Sequence, residues 1–137
     1  MIGVKYFLML TTLLVVVEPQ SIPKISPEEM QALLQYHKDC KLESHASDNL
    51  AYGTLAGQFP EDPRLKKHVF CMSKKIGFQD ETGKIQRDVF EEQLQKLVTD
   101  NDRVEELIEL CSVQHDDPEE TAMDMAKCYY KILRNTV

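Results

Sequence analysis

The chain has no tryptophan, only five glycines and no run of lysines and arginines, and each shortage removes a class of function. Without a basic block, and with a formal net charge of −7, it offers no electrostatic footprint for nucleic acid or an anionic membrane. The glycines form no phosphate-cradling loop, and neither Gly-x-Ser-x-Gly nor His-Glu-x-x-His occurs, so catalysis has no support. Every Ser, Cys and His that could act as nucleophile or base has a simpler role in capping or cross-linking. The four histidines (His37, His45, His68, His115) and the four cysteines never fall into C-x2-C or H-x3-H spacing. That leaves a structural zinc site without ligands, and no cofactor is expected. Strand signals are nearly missing. The long apolar run at the N-terminus, residues 6–17, is 12 residues, against about 20 needed to span a bilayer.

What is present is the basic, apolar, polar order of a secretory signal peptide: Lys5, the apolar run, then Glu18, Pro19 and Gln20. Residues 1–20 are therefore expected to be removed. The boundary is approximate, because no small-x-small triplet lies between Val15 and Ser21. Residues 21–137 form one domain, secreted and extracellular, without stable membrane insertion. About 117 residues can bury somewhat over about 60% of the surface of the unfolded chain. Cys40, Cys71, Cys111 and Cys128 are then best used as two disulfides, and four cysteines allow three connectivities.

Period and punctuation predict an all-α domain of about six short helices. The first starts at Ser26, with Pro27 in the first turn and Glu29 closing a capping box; Met30, Leu33, Leu34, His37 and Cys40 make its stripe, and residues 42–47 break it. A weaker helix spans about 48–56, broken near Gly57. The third begins at Asp62-Pro63 and ends at Gly77, with Leu65, Val69, Met72 and Ile76 within about 60° on the helical wheel. A turn-rich connector over 78–84 precedes a helix over about 87–98 carrying Val89, Phe90, Leu94 and Leu97. The fifth is capped by Asp102 with Glu105 and buries Val104, Leu107, Ile108 and Cys111. Asp117-Pro118 opens the sixth, whose inner stripe is Ala122, Ala126, Tyr129 and Leu133, flanked by Met125.

Two stretches carry a resemblance. Asp62-Pro63-Arg64-Leu65-Lys66-Lys67-His68-Val69-Phe70-Cys71 with Gly77, and Cys111 followed by Asp117-Pro118-Glu119-Glu120-Thr121-Ala122 and Cys128, resemble the third and last helices of the insect odorant-binding proteins. The spacing C-x30-C-x39-C-x16-C is similar to their four-cysteine, minus-C subgroup. Lys67 and Glu119 stand where that family's third bridge would have its cysteines. The resemblance implies bridges Cys40–Cys71 and Cys111–Cys128, a central apolar cavity between the helices, and an ion pair between Lys67 and Glu119 in place of the third bridge.

It also implies a carrier of a small hydrophobic ligand such as an odorant, pheromone or lipid. A chemosensory receptor is a candidate partner, and the protein is expected as a monomer or weak homodimer. The residues support the carrier independently: amphipathic helices pinned by disulfides can enclose apolar space, and Met72, Met125, Met30 and Met123 offer adaptable lining. The expected ligand-binding residues are Leu55, Val69, Met72, Ile76, Phe90, Leu94, Leu107, Ile108, Ala126 and Tyr129. Tyr129 is the first choice for a polar contact and Tyr52 the second. His37, on the inner stripe of the first helix, is a candidate pH-responsive group. The competing reading is a secreted helical signalling ligand of cytokine type with a filled core.

Overall fold

The computed structural model describes residues 25–136; the expected signal peptide lies outside them. Among these residues, six α-helices follow one another: α1 (Pro27–Ser44), α2 (Asp48–Gly53), α3 (Pro63–Ile76), α4 (Arg87–Gln95), α5 (Asn101–Cys111) and α6 (Pro118–Thr136), with a 3-10 turn at Thr54–Ala56 after α2. Their ends are written in short polar residues. Ser26 accepts from the backbone N–H of Glu29 at 3.1 Å, and the Glu29 carboxylate accepts from the Ser26 N–H at 3.3 Å, so two otherwise orphaned donors are satisfied reciprocally. Ser47 caps α2, Asp62 caps α3 and Asp117 accepts from the Glu119 N–H ahead of α6.

Three boundaries differ from expectation. Helix α4 ends at Gln95 and not near 98, because the Lys96 and Leu97 N–H groups turn to the nearer carbonyls of Gln93 and Leu94. Helix α1 runs on through 42–44 because His45 adopts a left-handed conformation, φ 60°, and closes the helix from its C-cap. Helix α5 is capped by Asp100, which accepts from the N–H groups of Asp102 and Arg103, not by Asp102. The end of α3 follows the sequence signal. Gly77, φ 94°, lets its own N–H reach the Lys74 carbonyl while the Phe78 N–H reaches that of Ser73, a Schellman closure that a residue with Cβ resists.

Cys40–Cys71 ties α1 to α3 and Cys111–Cys128 ties α5 to α6, with Cα–Cα distances of 5.6 and 5.5 Å. The pairing implied by the resemblance is the one observed. Helix α3 packs against α1 on one side and α6 on the other, and α4 and α5 close the remaining face. The core lies between α4, α5 and α6, where Phe90, Leu94, Val104, Leu107, Ile108, Cys111, Met125 and Ile132 form one cluster. Each fully buried side chain of this size contributes about 1.5–3 kcal/mol of transfer free energy.

The connector over 78–86 is folded more tightly than its turn-rich composition suggests. The Asp80 carboxylate accepts from the N–H groups of Thr82 and Lys84 and from the Thr82 hydroxyl, holding it below the usual carboxylate range. Gln79, 2% exposed, donates its amide to the carbonyls of Gly83 and Pro118 at 3.0 and 3.1 Å. Gln114 donates to Gly83 as well and accepts from Ile85. The loop is thereby clamped to the start of α6.

Candidate functional site

Five of the residues expected to line an apolar site come together in the core. Phe90, Leu94 and Ile108 are fully buried, Leu107 is 4% exposed, and Tyr129 packs against them. Phe90 and Tyr129 are joined by Phe78 from the connector, with ring centroids 5.3 Å (Phe78–Phe90), 5.9 Å (Phe78–Tyr129) and 6.0 Å (Phe90–Tyr129) and interplanar angles of 61–72°. Such mutual edge-to-face packing is favoured by the aromatic quadrupole. Burial raises the Tyr129 phenol above its ordinary range, so it stays a neutral O–H that can donate or accept.

Val69, Met72, Ile76 and Ala126 are half-buried on the facing helices α3 and α6. Leu55 departs from expectation. It lies on the 3-10 turn and is 78% exposed, on the outer side of a turn that Gly57, φ 78°, closes beside the Tyr130 ring. Met123 and Met125 are buried, whereas Met30 and Leu34 are nearly half exposed. The stripe of α1 is thus buried only in its second half, where Cys40 pins it to α3. Phe78 and Ile132 belong to the cluster but were outside the expected set. Two surface grooves have other linings: one of about 680 Å³ between Ser47, Asn49, Leu50, Gln58, Phe59, Pro60 and Arg64, and one of about 530 Å³ along residues 80–91.

The ion pair between α3 and α6 exists, displaced by one residue on each helix. Lys66 reaches the Glu120 carboxylate and holds Glu61 at 2.8 Å, while Lys67 is exposed. Lys66 is half-buried with its ammonium on the Glu120 carboxylate of α6, and the next residue along the helix is rotated about 100° away from it. Glu120 and then Glu61 raise the Lys66 ammonium above its ordinary value.

His37 is 8% exposed and stands in a chain of polar groups that the sequence reading did not anticipate. Its Nε2 is 3.0 Å from Asp48 Oδ1, its Nδ1 is 3.1 Å from Nε2 of His68, and His68 Nδ1 is 3.0 Å from the Ser44 hydroxyl. The signal for His68 was present: it sits three residues after Leu65 and three before Cys71 and shares their buried side of α3. Burial, and then the neighbouring His37, lower the His68 imidazole below its ordinary value.

Residues 23–132 match the PBP/GOBP family. The chain belongs to that family. Among relatives, it is 34% identical over 122 residues to the B1 protein of Tenebrio molitor, covering 89% of this chain and 92% of that protein. It is 33% identical over 111 residues to the B2 protein of the same beetle, covering 81% and 87%. Among solved structures, it resembles odorant-binding protein dmelOBP28a of Drosophila melanogaster (TM-score 0.63, 20% identity, 79% of this chain and 94% of that one). It also resembles Odorant Binding Protein 7 of Anopheles gambiae, which has four disulfide bridges and was solved with an azo compound (TM-score 0.60, 27% identity, 82% and 95%). With two disulfides, this member fits the minus-C pattern.

Proposed function

We propose that the protein is a secreted, non-enzymatic carrier of a small hydrophobic ligand, held between α4, α5 and α6 against Phe90, Leu94, Leu107, Ile108 and Tyr129. Val69, Met72, Ile76 and Ala126 close the α3 side, and Leu55 is withdrawn from the set. The observation that carries the reading is the aromatic and aliphatic cluster with a neutral phenol at its edge: an apolar lining with one hydrogen-bonding group suits a ligand of mostly hydrocarbon character with one polar atom. Met125 and Met72 supply side chains that can repack around several shapes. Family membership and the azo-compound complex of the Anopheles relative support the same reading. The cytokine-type alternative has no observation in its favour. Monomeric or weakly dimeric carriage, with delivery to a chemosensory receptor, is the simplest use of such a protein.

The test is titration with a fluorescent apolar probe, since the chain has no tryptophan to quench, followed by displacement with volatile terpenoids, aromatics and long-chain alcohols and acids. Saturable micromolar binding is expected, with Tyr129→Phe weakening ligands that carry a polar atom by about 1 kcal/mol and leaving pure hydrocarbons unchanged. A folded, two-disulfide protein that binds none of them would refute the carrier.

A further inference from the structure

The polar chain around His37 can be assigned hydrogen by hydrogen. Asp48 accepts at one oxygen, Oδ1, from Lys41 at 2.9 Å and from His37 Nε2 at 3.0 Å, and these two contacts, Lys41 first, hold its carboxyl below the usual range. An ionised carboxylate only accepts, so His37 carries its hydrogen on Nε2. In neutral His37 the other nitrogen is then an acceptor, and His68 Nε2, 3.1 Å away, must donate to it. That makes His68 Nδ1 an acceptor for the Ser44 hydroxyl at 3.0 Å, and the Ser44 oxygen in turn accepts from the Ala46 N–H at 3.1 Å. Every donor in the relay finds an acceptor when both imidazoles are neutral.

One added proton can be accommodated with the heavy atoms in place. It enters at His68 Nδ1 if the Ser44 hydroxyl turns away, and it can pass across the His–His bond to rest on His37 beside Asp48. Two added protons cannot be accommodated. Both facing nitrogens would then carry hydrogen at 3.1 Å, with two positive charges and no acceptor between them. The pair has little freedom to separate, because Cys40 lies three residues after His37 and Cys71 three after His68, and their bridge fixes the two Cα atoms 5.6 Å apart. The other groups facing the pair are Lys41 on α1, the Cys40 carbonyl beside His68, and on α2 Asp48 and the Tyr52 ring, 4.8 Å from that of His37.

We propose that His37 and His68 form a one-proton site whose second protonation is blocked by the Cys40–Cys71 bridge, so that proton uptake and the disulfide are thermodynamically coupled. The first proton reverses the hydroxyl end of the relay and leaves α1, α2 and α3 in register. The second breaks the His–His bond and with it the native packing where the three helices meet. The device thus separates a tolerated acid step from a disruptive one, and the bridge sets the distance between them.

The test is a side-chain nitrogen NMR titration of both imidazoles in the oxidised protein, repeated in the Cys40→Ala/Cys71→Ala variant. At alkaline pH both rings are expected as neutral Nε2–H tautomers. On acidification one proton enters with native shifts retained, and the second enters only as those shifts are lost. In the variant the second step is expected to move up by about one pH unit. His68→Gln, which keeps a side chain able to donate to His37, is expected to leave a simple one-step titration of His37. Both rings becoming cationic while native shifts persist, or His37 carrying its hydrogen on Nδ1 at alkaline pH, would overturn the assignment. An unmoved second step in the bridge variant would overturn the coupling. Because all readouts are on the imidazoles, the result is independent of ligand carriage.

Discussion

The two disulfides lie on opposite sides of α3 and α6, and removing them one at a time separates stability from binding. The perturbations are Cys40→Ala/Cys71→Ala and Cys111→Ala/Cys128→Ala. The bridges span sequence separations of 31 and 17 residues, for which the chain-entropy relation gives about 3.7 and about 3.1 kcal/mol. Cys40 and Cys71 are 0% and 3% exposed, whereas Cys128 is only half-buried. The buried sulfurs therefore add about 1 kcal/mol more to the first loss than to the second. Binding is expected to rank the other way. Cys111 belongs to the cluster with Phe90, Leu107 and Ile108, and Cys128, like its neighbour Tyr129, packs against that cluster. Loosening α5 from α6 disturbs the proposed lining, while loosening α1 from α3 leaves it in place. Urea unfolding followed by helical circular dichroism, with probe titration of each folded variant, reads both quantities. The expected result is a larger stability loss for the 40–71 variant and a larger affinity loss, about tenfold for 1.4 kcal/mol, for the 111–128 variant. The same rank order in both assays, or a stability loss under about 1 kcal/mol for either variant, would refute the reasoning.

Gly83→Ala is expected to destabilise by at least about 2 kcal/mol in the same unfolding assay, since φ is 91° and the new Cβ would lie 2.4 Å from the Pro118 Cβ and 3.2 Å from its Cα. Asp62 titrates at about 2 in the fold against an ordinary 3.8, held down by Arg64. Its contribution is therefore present above about pH 3.8 and lost as pH falls toward 2. Asp62→Asn keeps the cap but removes that contribution, so stability is expected to fall at neutral pH and to match the parent near pH 2, flattening the acid limb between.

Much of the fold was legible because its helix ends are spelled locally. Ser26 with Glu29, Asp62-Pro63 and Gly77 each act within a few residues of where they stand, and the helices begin and end there. The core cluster was legible for a related reason: the stripes of α4 and α5 repeat at helical spacing, and Phe90 and Leu94 of the one and Val104, Leu107, Ile108 and Cys111 of the other are buried. What escaped depends on contacts distant in sequence. Leu55 looks like core on its own helix, yet it stands on the outer side of a turn that closes beside Tyr130, some 70 residues on. Phe78 and Gln79 read as connector, because nothing local says that one ring joins Phe90 and Tyr129 while the neighbouring amide reaches Pro118. The relay through Asp48, His37, His68 and Ser44 draws on three helices, and only the i±3 relation of His68 to Leu65 and Cys71 hinted at its burial.

The clamp formed by Gln79 and Gln114 on Gly83 and the start of α6 has a consequence for how ligand preference can diverge. Helix α6 carries Met125, Tyr129 and Ile132 into the core on one rigid rod, so where that rod begins decides how deep each of those side chains stands. A change at residue 79, 83 or 114 would shift the whole wall at once, altering the shape of the site through residues that never meet a ligand. Relatives with the same lining could thus select different molecules, and the loop, not the lining, would be the place where selection had acted.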